Sequence, residues 1–270
     1  MIETTQTWKI GDCVELMQEL DDESIDLVVT SPPYDNLRTY GGYNFDFEKT
    51  ANQLYRVIKD GGTIVWIVND ETIDGDESGT SFRQALCFKE IGFKLNDTMI
   101  WNKGGFTAVG ALPYRYGQVF EYMFILTKGY AKTFNPIKDR PNKQYGRKQH
   151  GTIRQRDGTT KQMSSNGRNI TPFGQRFNIW NIYPENSSKN RTSHPAQFSE
   201  ELVHDHIISW SNEGDLVLDP FVGSGTTLKV CRLTNRNGIG FEINPEYEPI
   251  IRERCMADTP PLQSYFGDVD

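Results

Sequence analysis

The run Asp219-Pro220-Phe221-Val222-Gly223-Ser224-Gly225-Thr226-Thr227 decides the fold. It follows the apolar triplet Leu216-Val217-Leu218 and opens a segment with helical spacing, so it reads as the turn from a buried strand into a helix. Its glycines allow positive φ angles and close approach to the backbone, and the helix start offers unpaired N–H groups. No Gly-Lys-Ser or Gly-Lys-Thr follows and the spacing is not GxGxxG, so the turn is neither a P-loop nor the dinucleotide fingerprint. Glu242 closes the next apolar run, 23 residues after Asp219, an offset at which an acidic side chain accepts hydrogen bonds from ribose hydroxyls. Turn and glutamate together predict a nucleoside-containing ligand.

Outward from that turn, short β-rich runs alternate with helix-length segments. Strands are expected at 8–12, 26–31, 63–69, 95–101, 122–127, 216–219 and 238–242, and helices at 14–20, 48–59, 81–90, 198–210, 226–233 and 245–255. Such alternation predicts an α/β domain on a mostly parallel sheet covered by helices. Asp60-Gly61-Gly62 and 235–238 read as turns between elements. Four strands end on polar side chains: Gly11-Asp12, Thr30-Ser31, Asp219 and Glu242. Ligands of open α/β sheets sit beyond the carboxyl ends of the strands, so these groups are expected to line one crevice.

The second motif is Thr30-Ser31-Pro32-Pro33-Tyr34, directly after an apolar strand. Two prolines stiffen the backbone and leave carbonyls without competing amide donors, so Ser31 Oγ and the Pro32 carbonyl offer two acceptors beside the flat face of Tyr34. That arrangement suits a planar ring with an exocyclic amine, because hydrogen bonds from both amine hydrogens help turn its delocalised lone pair toward an electrophile. No cysteine follows a proline, so a Pro-Cys nucleophile is absent from the reading.

The 270 residues, 36% hydrophobic, 12% aromatic and 24% charged, suffice for a packed core and exclude wholesale disorder. The longest clean apolar stretch is about 63–68, far short of the ~20 residues of a membrane span. The polar first ten residues lack the layout of a signal peptide, which leads us to expect a cytoplasmic chain. Cys13, Cys87, Cys231 and Cys255 show no metal-ligand spacing, so they are expected to be reduced thiols with no metal site. The net charge of −7 hides an asymmetry: residues 131–192 carry thirteen Lys and Arg against Asp139, Asp157 and Glu185, which is +10 there and −17 elsewhere. A basic module set into an acidic body points to a polyanion; a solvated insertion kept soluble by its lysines is the alternative.

The two motifs together resemble those of the S-adenosylmethionine-dependent DNA amino-methyltransferases, which methylate N4 of cytosine or N6 of adenine. Their order, Ser-Pro-Pro-Tyr, then a basic region, then Asp-Pro-Phe-x-Gly-Ser-Gly-Thr, is similar to the β arrangement of that family, and the resemblance covers nearly the whole chain. Residues 121–128 resemble the strand before its target-recognition region, and Ser193-His194-Pro195-Ala196-Gln197 the opening of its cofactor half. The resemblance implies a Rossmann-like methyltransferase sheet, mostly parallel with helices on both faces, plus a small basic target-recognition insertion. It implies a discontinuous catalytic and cofactor-binding domain of residues 1–130 and 193–270 and a target-recognition region of 131–192.

Carried over residue by residue, Asp219, Phe221, Gly223, Ser224, Gly225 and Thr226 are expected around the methionine part of S-adenosylmethionine, with Glu242 on its ribose. His194 and Pro195 are expected to contribute from the helix before that strand, and Asp12 to contact the adenine, in preference to a competing Gly267-Asp268 pair. Ser31, Pro32, Pro33 and Tyr34 are expected to hold the flipped base. The stretch 38–47 is either a loop closing over DNA or a packed aromatic connector. Serine in the first motif resembles the cytosine branch more than the Asp-Pro-Pro-Tyr or Asn-Pro-Pro-Tyr of adenine enzymes, which makes N4 of cytosine the expected target and N6 of adenine the alternative. A glutamine methyltransferase ranks third, and a DNA-binding protein without turnover is the reading from another class. The expected partner is double-stranded DNA; a homodimer and a cognate restriction endonuclease stay open.

Overall fold

Residues 3–33, 45–105, 115–184 and 199–256 are described by a computed structural model. Contacts divide the chain into two compact units, one of residues 1–135 with 178–270 and one of 136–177.

The first unit is organised by an eight-stranded sheet. Its strands are β1 (Gln6–Ile10), β2 (Ile25–Thr30), β3 (Ile58–Val68), β6 (Lys94–Asn102), β7 (Phe120–Thr127), β12 (Ile179–Asn181), β13 (Leu216–Asp219) and β14 (Asn237–Glu242), while β4 (Thr72–Ile73) and β5 (Asp76–Glu77) form a separate hairpin. The order across the sheet is β1-β14-β13-β2-β3-β7-β6-β12. Neighbours run parallel except that β7 lies antiparallel to both β3 and β6.

The helices are α1 (Cys13–Met17), α2 (Phe47–Val57), α3 (Thr80–Ile91), α4 (Glu200–Trp210), α5 (Thr226–Leu233) and α6 (Glu248–Met256). Alternation assigns the two faces of the sheet. Val28, Ile64, Trp66, Phe124 and Leu218 pack in one cluster with Met17 of α1, Leu54 of α2 and Phe88 of α3. The intervening Leu27, Val29, Val65, Ile67, Met123 and Val217 are also buried, and α4 covers that side, where His206 Nε2 lies 3.1 Å from Met123 Sδ. Burial on both faces explains why β3 is apolar from Thr63 to Val68 rather than alternating. The fold is thus the mostly parallel, helix-covered sheet anticipated above.

Three local features differ from the sequence reading. Asp60-Gly61-Gly62 lies inside β3, where the register jumps from Ile25–Ile58 to Leu27–Thr63. Gly61 takes φ 83° there, and its N–H donates 2.6 Å to the Lys128 carbonyl, so the expected turn is a bulge. Helix α2 ends at Val57 because Ile58 already pairs with Ile25 of β2. Strand β12 was not anticipated: Trp180 sits there, buried, with its neighbours paired to β6.

The second unit is an antiparallel ribbon. The short ladders β8 (Arg140–Pro141) with β11 (Phe173–Gly174) and β9 (Thr152–Arg154) with β10 (Thr160–Gln162) are linked by backbone bonds such as Gln149 N to the Arg168 carbonyl and Met163 N to the Gly151 carbonyl. At its far turn Asp157 Oδ1 accepts from Thr159 N and Oγ1 at 2.9 and 2.7 Å. No residue from 136 to 177 is buried. Turn chemistry and backbone pairing, not a core, shape this unit.

Candidate cofactor and target-base site

The chain leaves β13 toward β14 on one side, and leaves β2 toward β3 on the other, although β13 and β2 are neighbours. The order of connection reverses between them, which opens a crevice at their carboxyl ends. Asp219 and Thr30 close those two strands. Glu242 and Gly11-Asp12 stand at the same end of the adjacent pair β14 and β1, where Gly11 N donates 2.8 Å to the Glu242 carbonyl.

Asp219 is 1% exposed. Its Oδ1 accepts from Thr30 Oγ1 at 2.6 Å and from Phe221 N at 3.1 Å, and its Oδ2 from Thr227 Oγ1 at 2.6 Å. Burial raises this carboxyl to about 6, against the opposing pull of its hydrogen bonds. Glu242 is buried too, which raises its carboxyl above the ordinary range, while Asn244 N and Gly223 N each donate 2.9 Å to it in opposition.

Between these acids runs the glycine-rich turn. Gly223 and Gly225 take φ 52° and 83°, a region costly for residues with a Cβ. At Gly225 a Cβ would also stand 3.2 Å from Ile251 Cα of α6. Gly225 caps α5 without a side-chain bond, so the first amides of that helix lack intrahelical partners. Phe221 leans edge-on against Phe45, ring centroids 5.1 Å apart. Of the stretch 38–47, Phe45 and Phe47 thus pack against the aromatic core, with residues 38–44 outside the described set.

A buried ionic group supports the turn from beneath. Arg254 of α6 donates to Ser224 Oγ at 2.8 Å and to Thr226 Oγ1 at 2.9 Å, and it also reaches Glu200 Oε1 at the start of α4. Lys229 of α5 donates to both Glu200 oxygens at 2.7 and 2.8 Å. Glu200, Lys229 and Arg254 carry no signal in the sequence, because their partners lie 28 to 54 positions away, beyond any local pattern.

On the other side of the crevice, Pro32 is buried and Ser31 and Pro33 are half-buried. Tyr34, His194 and Pro195 lie outside the described residues, as does Gly267-Asp268. Asp12 begins α1, its Oδ1 accepting from Val14 N at 2.8 Å and Glu15 N at 3.3 Å. The structure therefore brings Asp12, Ser31, Asp219, the glycine turn and Glu242 to one end of the sheet. Burial raises the thiols of Cys13 and Cys255 to about 11, which leaves them poor nucleophiles. Among the described residues there is no cluster fit for a metal ion and no helix long and apolar enough to cross a membrane.

Residues 25–253 match a protein family described as DNA methylase, the N6 and N4 methyltransferases. The chain belongs to this family. A DNA methylase relative, the orphan methyltransferase M.BamHII of Bacillus amyloliquefaciens, is 51% identical over 247 residues, covering 88% of this chain and 91% of that protein. The type II methyltransferase M.HpaI of Haemophilus parainfluenzae is 31% identical, covering 92% and 73%. Among solved structures, PvuII DNA methyltransferase (cytosine-N4-specific) aligns with a TM-score of 0.68 at 22% identity, covering 95% of this chain and 89% of that one. The M1.HpyAVI–SAM complex aligns with a TM-score of 0.63, also at 22% identity, covering 93% and 100%. This DNA methylase thus has the fold of solved DNA methyltransferases.

Proposed function

We propose that the chain transfers a methyl group from S-adenosylmethionine to the exocyclic N4 amine of a cytosine flipped out of double-stranded DNA. The observation that carries the reading is the adjacency of the serine-proline and glycine-rich turns on neighbouring strand ends, with Thr30 bonded directly to Asp219. Such adjacency is what transfer between two bound groups requires.

The residues fit the cofactor chemically. Glycine-turn and α5 amides suit its methionine carboxylate. Glu242 accepts one hydrogen bond at each of its carboxylate oxygens and Asp12 Oδ2 takes no part in the α1 cap, which leaves acceptor capacity suited to ribose hydroxyls and the adenine amine. When bound, S-adenosylmethionine supplies an electrophilic methyl group. Ser31 and the Pro32 carbonyl accept the amine hydrogens of the base, orienting its lone pair and leaving a path for proton loss, and Tyr34 stacks on the ring. The two prolines hold these acceptors in place, and Phe221 helps keep water from the reacting atoms. His194 and Pro195 are assigned to the cofactor side by the resemblance.

The ribbon of 136–177 supplies the DNA surface in this reading. It carries ten Lys and Arg against Asp139 and Asp157, and a two-stranded ribbon fits the major groove. Exposed Tyr145, Phe173 and Phe177 offer apolar faces for bases. Serine in the first motif supports cytosine over adenine, as does fold similarity to an enzyme named cytosine-N4-specific.

The test is incubation with S-adenosylmethionine and mixed-sequence DNA, then nucleoside digestion and mass spectrometry. N4-methylcytosine is the expected product. N6-methyladenine would overturn the base assignment and keep the chemistry; no methylated nucleoside, with cofactor binding verified, would overturn the enzyme reading.

A further inference from the structure

We infer that Thr30 is a positioning residue for methyl transfer, joining the base-holding turn to the cofactor turn through the buried carboxylate of Asp219. The inference rests on the function proposed above. Thr30 is fully buried and immediately precedes Ser31-Pro32-Pro33, so its side chain touches neither ligand. Its Oγ1 donates 2.6 Å to Asp219 Oδ1, an oxygen shared with Phe221 N inside the glycine-rich turn. The other oxygen, Oδ2, receives Thr227 Oγ1 from the first turn of α5. One carboxylate therefore fixes three points: the last residue before the serine-proline turn, the middle of the glycine turn, and the start of the helix behind it.

The chain stiffens directly beyond each tie. Asp219 is followed by Pro220, and Ser31 by Pro32 and Pro33, whose fixed φ angles carry the strand-end positions outward with little slack. The backbone ladder does not make this connection itself, since the β13–β2 register pairs Val217 with Leu27 and Leu218 with Val28. The distance between amine acceptor and methyl donor then depends on this hydroxyl–carboxylate bond. Rates of oriented group transfer are sensitive to that distance: a displacement of ~1 Å costs about a hundredfold.

The variant Thr30→Val removes the hydroxyl at nearly constant volume. Compared with wild type at saturating DNA and S-adenosylmethionine, it is expected to lower kcat by about 10- to 100-fold and to leave the DNA Kd unchanged. Thr30→Ser keeps the donor and is expected to restore kcat to within about threefold. Thr227→Val removes the other hydroxyl on the same carboxylate without cutting the link between turns; it is expected to weaken S-adenosylmethionine binding and to lower saturated kcat less than Thr30→Val does. A residue with only a packing role would lower Tm in all three and show no such split. Wild-type kcat in Thr30→Val, or equal damage from Thr30→Ser, would overturn the inference.

Should wild type methylate neither base, the functional reading fails and the link is read differently. Faster amide exchange at Gly223 and Gly225 and weaker S-adenosylmethionine binding in Thr30→Val would uphold the link. Unchanged exchange and affinity would sink it. If Thr30→Val does not fold, Thr30→Ser against Thr30→Ala gives the same comparison.

Discussion

The sheet and the ribbon solve opposite problems. Around β3 every residue from Gly61 to Val68 is buried, whereas no residue of 136–177 is. The sheet is held by apolar burial, which tolerates few substitutions but positions side chains rigidly. The ribbon is held by turns and backbone bonds, which leaves nearly every side chain facing outward. The comparison teaches where each task is affordable: geometry-critical chemistry belongs at rigid strand ends, and recognition of an extended charged partner needs exposed side chains.

The largest expected effect sharpens the contrast in stability. Trp66 is fully buried and donates 2.8 Å to Gln84 Oε1, so Trp66→Ala should cost ~3–5 kcal/mol in denaturant unfolding. Phe177 is 64% exposed, with Arg140 over its ring at 4.4 Å, and Phe177→Ala should cost less than ~1 kcal/mol. Comparable costs would break the comparison.

Next is the charge on the ribbon. Replacing exposed Arg154, Arg156 and Lys161 with serine should flatten the dependence of log K for DNA on log salt by up to about 2.7, if each neutralises one phosphate. S-adenosylmethionine affinity, which the proposed function assigns to the sheet unit, should not move. An unchanged slope would remove the ribbon from the DNA surface.

A third effect concerns the buried acid. The Asp219 carboxyl stands above its ordinary value, at about 6. A raised folded value means that the stabilising contribution is complete below the unfolded value near 4 and is lost as pH climbs through about 6. The Tm advantage of wild type over Asp219→Asn should therefore shrink between about pH 4 and pH 6, by an amount corresponding to at most ~3 kcal/mol. A constant difference would show that Asp219 does not titrate there. The smallest effect belongs to the ribbon turn, where Asp157→Ala removes the two bonds to Thr159 at an exposed site and should cost about 1 kcal/mol or less.

What was legible in the sequence was what is encoded locally. The strand into the glycine turn, the polar residues at four strand ends and the charge of the insertion depend on neighbours in the chain, and each is found in the molecule. Strand β12 escaped notice because three residues, Ile179-Trp180-Asn181, hold no periodicity; only pairing with β6 makes them a strand. Gly61-Gly62 signalled a turn correctly in backbone terms, but tertiary bonding to the end of β7 made it a bulge. The carboxylate of Asp219 was read as facing the ligand, and its contacts with Thr30 and Thr227 emerge only once strands far apart in sequence stand side by side. The same holds for Arg254 beneath Ser224 and Thr226.

The pairing of β1 with β14 sets a timetable for biosynthesis. Gln6 finds its place beside Gly238, so β1 must wait for a strand 232 positions further along the chain. At ~5–20 residues per second, that interval is on the order of ten to fifty seconds. During it the edge of β1 destined for β14 is uncovered, and Asp12 and Glu242 cannot meet at one end of the sheet. Joining of these two strand ends therefore waits until β14 has emerged.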